Sequence, residues 1–280
     1  MRRRRGIPSS YGATPARCHA AAYRSSLPPR EPPIEPATRL DEARRDPGRV
    51  VLEGVHAVKH ALRFGARLDV VWTPDRGSLV ELVAELAPDV LVAVTALAVE
   101  VDRSTWARLA PRGLPSPALG LAARPGVVPA DVLAAPGPAP VVLLEAPRHL
   151  GNVGAVVRVA AAAGAAGVLV TGPSDPWAPG AVRGGAGLQF AVPTAQVDDL
   201  PATDRPLVAL DPTGERLTAG AVPDRAVLAF GTERHGLSTA LLERAEHRVA
   251  IPMRPGVSSL NLATAVAIVL YAGGTGPPSQ

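Results

Sequence analysis

The sequence predicts an α/β protein: a small α/β unit followed by a larger α/β domain built on a parallel sheet. Three observations carry that prediction. Short apolar runs of strand length alternate with longer segments of helical spacing from residue 49 to 271, the pattern of strands joined by crossover helices. A Pro-rich stretch from Pro111 to Pro140 divides that alternation in two. The chain of 280 residues is rich in Ala, Val and Leu, enough for one large or two medium cores.

The elements follow in order. Residues 1–35 mix Arg, Pro, Ser and Ala without periodicity, so a disordered tail is expected. Residues 49–53 form an apolar run and read as a strand. Val55, Val58, Ala61 and Leu62 have helical spacing, and Gly65 stops that helix. Residues 68–72 read as a strand, 78–86 as a helix, 90–94 as a strand and 97–101 as the start of a further helix. The first unit therefore spans 36–110. Residues 111–140 read as linker, with a possible strand at 119–122 and a helical turn at 130–134. The second domain spans 141–272. Its strands are expected at 141–144, 168–170, 189–192, 208–210, 226–230 and 248–251, and its helices at 152–163 and 261–271. Residues 273–280 are expected to be disordered.

Charge and cysteine content narrow the function classes. The net charge of +4 is concentrated in the tail, where seven arginines face Glu31 and Glu35, so the remainder is slightly acidic. A uniformly basic nucleic-acid surface is not indicated, and any RNA contact in the body depends on local arginines. Cys18 is the only cysteine, which excludes an internal disulfide and a Cys-based metal site. No metal is expected. The longest apolar run, 153–170, is interrupted by Arg158, Gly164 and Gly167, so no membrane span is expected. A soluble cytoplasmic protein is the expectation.

In parallel sheets, ligands bind beyond the carboxyl ends of strands. Three loops there carry unusual chemistry. The first, after Leu144, runs Pro147-Arg148-His149-Leu150-Gly151-Asn152-Val153-Gly154 and leads to Arg158. Asn152 stands where a helix N-cap is expected, and Gly151 and Gly154 permit close backbone approach. Arg158 is charged within an apolar helix and needs a partner or an exit to solvent. The second, after Phe230, is Gly231-Thr232-Glu233-Arg234-His235-Gly236-Leu237-Ser238, with Ser238 placed to cap the next helix. The third, after Ile251, contains Ser258-Ser259-Leu260-Asn261 before an apolar helix. Capping by Ser258 or Ser259 explains one polar residue there but not Asn261.

Together, in this order, the motifs resemble those of the SpoU/TrmH family of RNA ribose methyltransferases. Asn-x-Gly-x-x-x-Arg is matched by Asn152, Gly154 and Arg158; Gly-x-Glu-x-x-Gly by Gly231, Glu233 and Gly236; Ser-Leu-Asn-apolar by Ser259, Leu260, Asn261 and Leu262. The segment from Trp177 to Arg183 and Gly187 also fit. One departure is Gly185, where family members commonly carry Ser. The segment Glu53-Gly54-Val55-His56-Ala57-Val58 is similar to the opening of the family's substrate-binding domain, which resembles ribosomal protein L30e.

The resemblance implies an L30e-like first domain and a second domain threaded as a trefoil knot. It implies S-adenosyl-L-methionine as cofactor, held by Leu210, Gly231, Gly236, Ile251 and Leu260. It implies a homodimer, and RNA as partner, with ribosomal RNA favoured over transfer RNA. The reaction is methyl transfer to a ribose 2′-hydroxyl. Arg158 carries the catalytic role, with Asn152, Glu233, Ser259 and Asn261 orienting it and the RNA. Guanidinium stays protonated in proteins. Either a neighbouring phosphate relays the hydroxyl proton, or Arg158 only positions and polarises the acceptor. The alternatives are a non-catalytic RNA-binding protein and a tRNA 2′-O-methyltransferase.

Overall fold

The computed structural model describes residues 35–232 and 235–272. The expectations for residues 1–34 and 273–280, and that for Glu233, lie outside the described residues. The first unit runs α1 (Pro36–Arg45), β1 (Arg49–Glu53), α2 (Val55–Arg63), β2 (Leu68–Thr73), α3 (Arg76–Leu86), α4 (Leu91–Leu97), β3 (Ala98–Glu100), α5 (Arg103–Leu109) and β4 (Leu119–Ala123). Its sheet has the order β1-β4-β2-β3, with β4 antiparallel to both neighbours and β2 parallel to β3.

Several expectations for this unit are corrected. Helix α1 begins one residue after Glu35, whose carboxylate accepts the Thr38 N–H; only Leu40 and Ala43 of α1 are buried, too few for a readable period. The run at 90–94, expected as a strand, is mostly helix α4, which buries Val94 and Leu97, one turn apart. The helix expected to open at 97–101 is instead strand β3. The segment expected as linker supplies β4, an interior strand of the first sheet, so that sheet extends beyond residue 110.

The second domain runs α6 (Pro129–Ala134), β5 (Val141–Leu144), α7 (Leu150–Ala163), β6 (Gly167–Val170), α8 (Pro179–Gly184), β7 (Thr194–Gln196), β8 (Leu207–Arg216), β9 (Val227–Phe230), α9 (Thr239–Arg244), β10 (His247–Ala250) and α10 (Leu262–Ala272). Its six strands are all parallel, in the order β10-β8-β9-β5-β6-β7. Alternate strand residues enter opposite faces. Val142, Leu144, Leu228 and Phe230 pack with α7 and α10, whereas Val141, Leu143, Val227 and Ala229 pack with α6 and α9. Both faces are covered, which is why the strands read as continuous apolar runs.

The strand expected at 189–192 is a 3₁₀ turn at Leu188–Phe190. The Gln189 side chain is drawn into the core there and donates to the Pro176 and Ala181 carbonyls. The strand begins only after Pro193, as β7 at the sheet edge.

The two sheets are held in one compact body. Arg124, just past β4, makes a two-pronged ion pair with Asp175 and lies over the Trp177 ring. Arg183 of α8 bonds Glu53 at the end of β1 (2.8 Å), and His60 of α2 bonds the Ala186 carbonyl (2.7 Å).

Candidate active site at the carboxyl ends of the parallel strands

The site begins with an irregularity in strand pairing. His247 and Arg248 pair with Val208 and Ala209, but the next residues, Val249 and Ala250, pair with Glu215 and Arg216. Residues 210–214 are therefore looped out of the ladder. Within that loop the Asp211 carboxylate accepts from the Thr213 N–H and hydroxyl, both 2.7 Å. The hydroxyl and N–H of Thr213 hold the Asp211 carboxyl below its ordinary value.

The second wall follows β9. Thr232 and Gly236 exchange two main-chain hydrogen bonds of 3.0 Å. Gly231 is required there: a Cβ would lie 2.0 Å from the Gly236 carbonyl carbon. The loop is tied back to β5 by Glu145. Its carboxylate accepts the Ser238 N–H (2.7 Å) and the Ser238 hydroxyl (2.6 Å), while Ser238 caps α9 as expected. The third wall is residues 251–260.

These loops enclose a cavity of about 410 Å³, within the size range of small-molecule sites. Its lining includes all five residues expected to bind cofactor, Leu210, Gly231, Gly236, Ile251 and Leu260, together with Ser259. The side chains are mainly apolar. The main-chain polar groups of Gly231, Ile251 and Leu260 find no hydrogen-bond partner among the described residues. Apolar walls with unmet backbone donors and acceptors suit a ligand carrying both a flat apolar surface and hydrogen-bonding edges. Gly236 differs from those three, because both its main-chain groups are engaged by Thr232.

Beside the cavity, motif one and motif three meet. The Asn261 side-chain N–H donates to the Asn152 side-chain oxygen at 3.1 Å. Asn152 is not the N-cap expected; His149 holds that position and Asn152 lies inside the first turn of α7. Asn261 caps α10 instead, its oxygen accepting from the Ala263 (3.0 Å) and Thr264 (3.4 Å) N–H groups. Ser258 and Ser259 are exposed and make no capping hydrogen bond among the described residues.

Arg158 is exposed on α7 and makes no hydrogen bond or ion pair among the described residues. It does not line the cavity. Its helix is pressed against α8: a Cβ at Gly154 would lie 2.1 Å from the Ala181 carbonyl oxygen. Gly151 has open space around its own Cβ position, so the second glycine of that approach is Gly184. Gly185 is buried, and a side chain there would meet the Gln189 amide at 2.7 Å. The absence of the usual Ser is thus matched by how Gln189 packs.

Comparison with known proteins decides the family. The family model described as the SpoU rRNA Methylase family matches residues 139–271. A Mycobacterium bovis protein, described as an uncharacterized tRNA/rRNA methyltransferase, is 32% identical over 96% of this chain and 85% of its own length. The chain belongs to the SpoU rRNA methylase family. The Streptomyces viridochromogenes 23S rRNA (uridine(2479)-2'-O)-methyltransferase is 32% identical over 46% of this chain. That match spans about half of the relative's length, as do those to several other curated relatives. Among solved structures, the AdoMet-bound rRNA methyltransferase from Sinorhizobium meliloti superposes with a TM-score of 0.65 at 26% identity, over 84% of this chain and 91% of the other.

Membership in the SpoU family accounts for the gathering of the motifs at one end of the sheet. Glu145, which anchors the motif-two loop, was not singled out from sequence. A carboxylate directly after a buried strand was the available signal.

Proposed function

We propose that this protein is an S-adenosylmethionine-dependent RNA 2′-O-ribose methyltransferase acting on ribosomal RNA as a homodimer. One observation carries the reading: the three strand-end loops close a cavity whose unmet main-chain groups are those of Gly231, Ile251 and Leu260, beside the Asn152–Asn261 contact. The relatives named as rRNA 2′-O-methyltransferases support the reaction and favour ribosomal RNA.

Leu210, Ile251 and Leu260 would hold the adenosine part, with hydrogen bonds from the main chain of the same loops. When bound, S-adenosylmethionine supplies a methyl carbon activated by a positively charged sulfur. The protein must then orient the acceptor hydroxyl and manage its proton. Arg158, exposed and uncommitted, donates to the acceptor nucleotide and polarises its hydroxyl. Because guanidinium stays protonated, the departing proton goes to another acceptor, such as a neighbouring phosphate. Asn152 and Asn261 hold the helix of Arg158 in register with the cavity.

The knot is part of the same proposal. The loops after β8, β9 and β10, which gather at one end of the sheet around the cavity, are the segments such a knot would involve. The dimer is supported by α10, which leaves Thr264, Ile268 and Tyr271 exposed at one helical face. Calorimetry with S-adenosylmethionine and light scattering test the reading together. Stoichiometric binding by a dimer is expected. Absence of binding, or a monomer at micromolar concentration, would count against it.

A further inference from the structure

The first sheet unit brings its own polar residues to Arg158. Helix α2 meets the second domain along one face. A Cβ at Gly187 would lie 2.6 Å from the Ala57 carbonyl oxygen, and His60 bonds the Ala186 carbonyl. His56 precedes His60 by four residues, so it lies on that same face one turn earlier, and Lys59 is its i+3 neighbour. From the other side, Arg158 follows Gly154 by four residues on α7, and Gly154 is the point at which α7 presses on α8. The two faces converge on one short segment, because a Cβ at Gly154 would also lie 2.5 Å from the Gly185 nitrogen, two residues before Gly187. Partial desolvation of the imidazole, then the charges of Lys59 and Arg158, hold His56 below the ordinary histidine value.

The neighbouring cations are already neutralised. Arg183 is paired with Glu53, and Arg63 holds Asp89 through two bonds of 2.7 Å. His56, Lys59 and Arg158 make no hydrogen bond or ion pair among the described residues, and Asp89, whose carboxylate also feels Lys59, is taken by Arg63. Lys59 and Arg158, two like charges that both bear on His56 and have no carboxylate partner among the described residues, are unfavourable there alone and favourable around an anion.

We propose that His56, Lys59 and Arg158 form one phosphate-binding site, through which the first unit fixes the RNA backbone next to the acceptor ribose. The proposal rests on the methyltransferase reading. It adds that Lys59 and His56 are the residues of the first unit that complete the acceptor site. Lys59 supplies a point charge and His56 a neutral hydrogen-bond donor, while Arg158 addresses phosphate and ribose together.

The test uses the full chain and a fluorescein-labelled stem-loop RNA of about thirty nucleotides, since phosphate contacts are independent of sequence. Anisotropy titrations are run over a range of KCl concentrations, with S-adenosylmethionine affinity and thermal midpoint measured in parallel. Lys59→Gln is expected to flatten the slope of log affinity against log salt by about 0.7–0.9, which is roughly a sixfold loss at about 0.1 M salt. Lys59→Arg is expected to restore the slope. His56→Ala is expected to weaken binding without changing the slope. Donor affinity and thermal midpoint stay at the wild-type values in all three. Wild-type affinity and slope in Lys59→Gln would overturn the proposal. A wild-type protein that binds the stem-loop but not S-adenosylmethionine would instead overturn the methyltransferase reading, and the Lys59 result would still be readable.

Discussion

Arg158 and Gly154 sit one turn apart on α7 and do opposite things. Gly154 buries itself against the α8 backbone, whereas Arg158 projects free of any described partner. If Arg158 acts on the acceptor, Arg158→Ala should lower turnover by roughly 10²–10⁴-fold, the range for a positioned proton-handling group. Donor affinity should be unchanged, because Arg158 lies outside the cavity lining. Turnover assays and calorimetry on the same preparation check this. Arg158→Lys keeps the charge but loses the planar fork, so activity near that of Ala would show that fork geometry matters. Gly154 answers to packing alone. Gly154→Ala places a methyl 2.1 Å from a carbonyl oxygen and should cost about 3 kcal/mol or more. Gly151→Ala, in open space on the same helix, should be neutral or stabilising by up to about 1 kcal/mol. Urea unfolding of the two variants checks the contrast; equal destabilisation would refute the close α7–α8 contact.

At the scale of elements, the contact between α2 and the segment after α8 is sensitive to pH. Burial of His60 is the main cause of its lowered proton affinity, outweighing the Ala186 bond that favours the charged form; Lys59, Arg63 and His56 lower it further. A histidine whose folded value is below the ordinary value of about 6.5 resists protonation in the native state. Its contribution is therefore complete above that value and is lost as pH falls below it. Stability should decline as pH falls through about 6.5, and His60→Asn, which keeps a donor for the Ala186 carbonyl but cannot titrate, should show a shallower decline in urea unfolding. Such couplings were invisible in sequence, while much of the framework was readable. Strands β1, β5 and β9 are short apolar runs with clear boundaries, and β5 and β9, parallel and buried on both faces, contain no polar residue. Helix α4 resembled a strand because Val90, Leu91, Val92 and Val94 are crowded together, although only one face is buried. The motif loops were legible from residue types. The Asn152–Asn261 contact, the Glu145–Ser238 tie and the His60–Ala186 bond were not, because each joins residues distant in the chain.

For the whole molecule, the fold explains why one end of one sheet holds the chemistry. Six parallel strands point their carboxyl ends the same way, the looped-out segment at 210–214 opens a cavity there, and the first unit is clamped alongside by Arg124–Asp175 and Arg183–Glu53. A clamped unit adds surface for a large substrate without a flexible search, which suits a structured RNA. The most direct test is nucleoside mass spectrometry of ribosomal RNA incubated with the purified protein and S-adenosylmethionine, with Arg158→Ala alongside. The account predicts a 2′-O-methylated nucleoside made by the wild type and absent with the variant. A methyl group on a base, or equal methylation by both proteins, would contradict it.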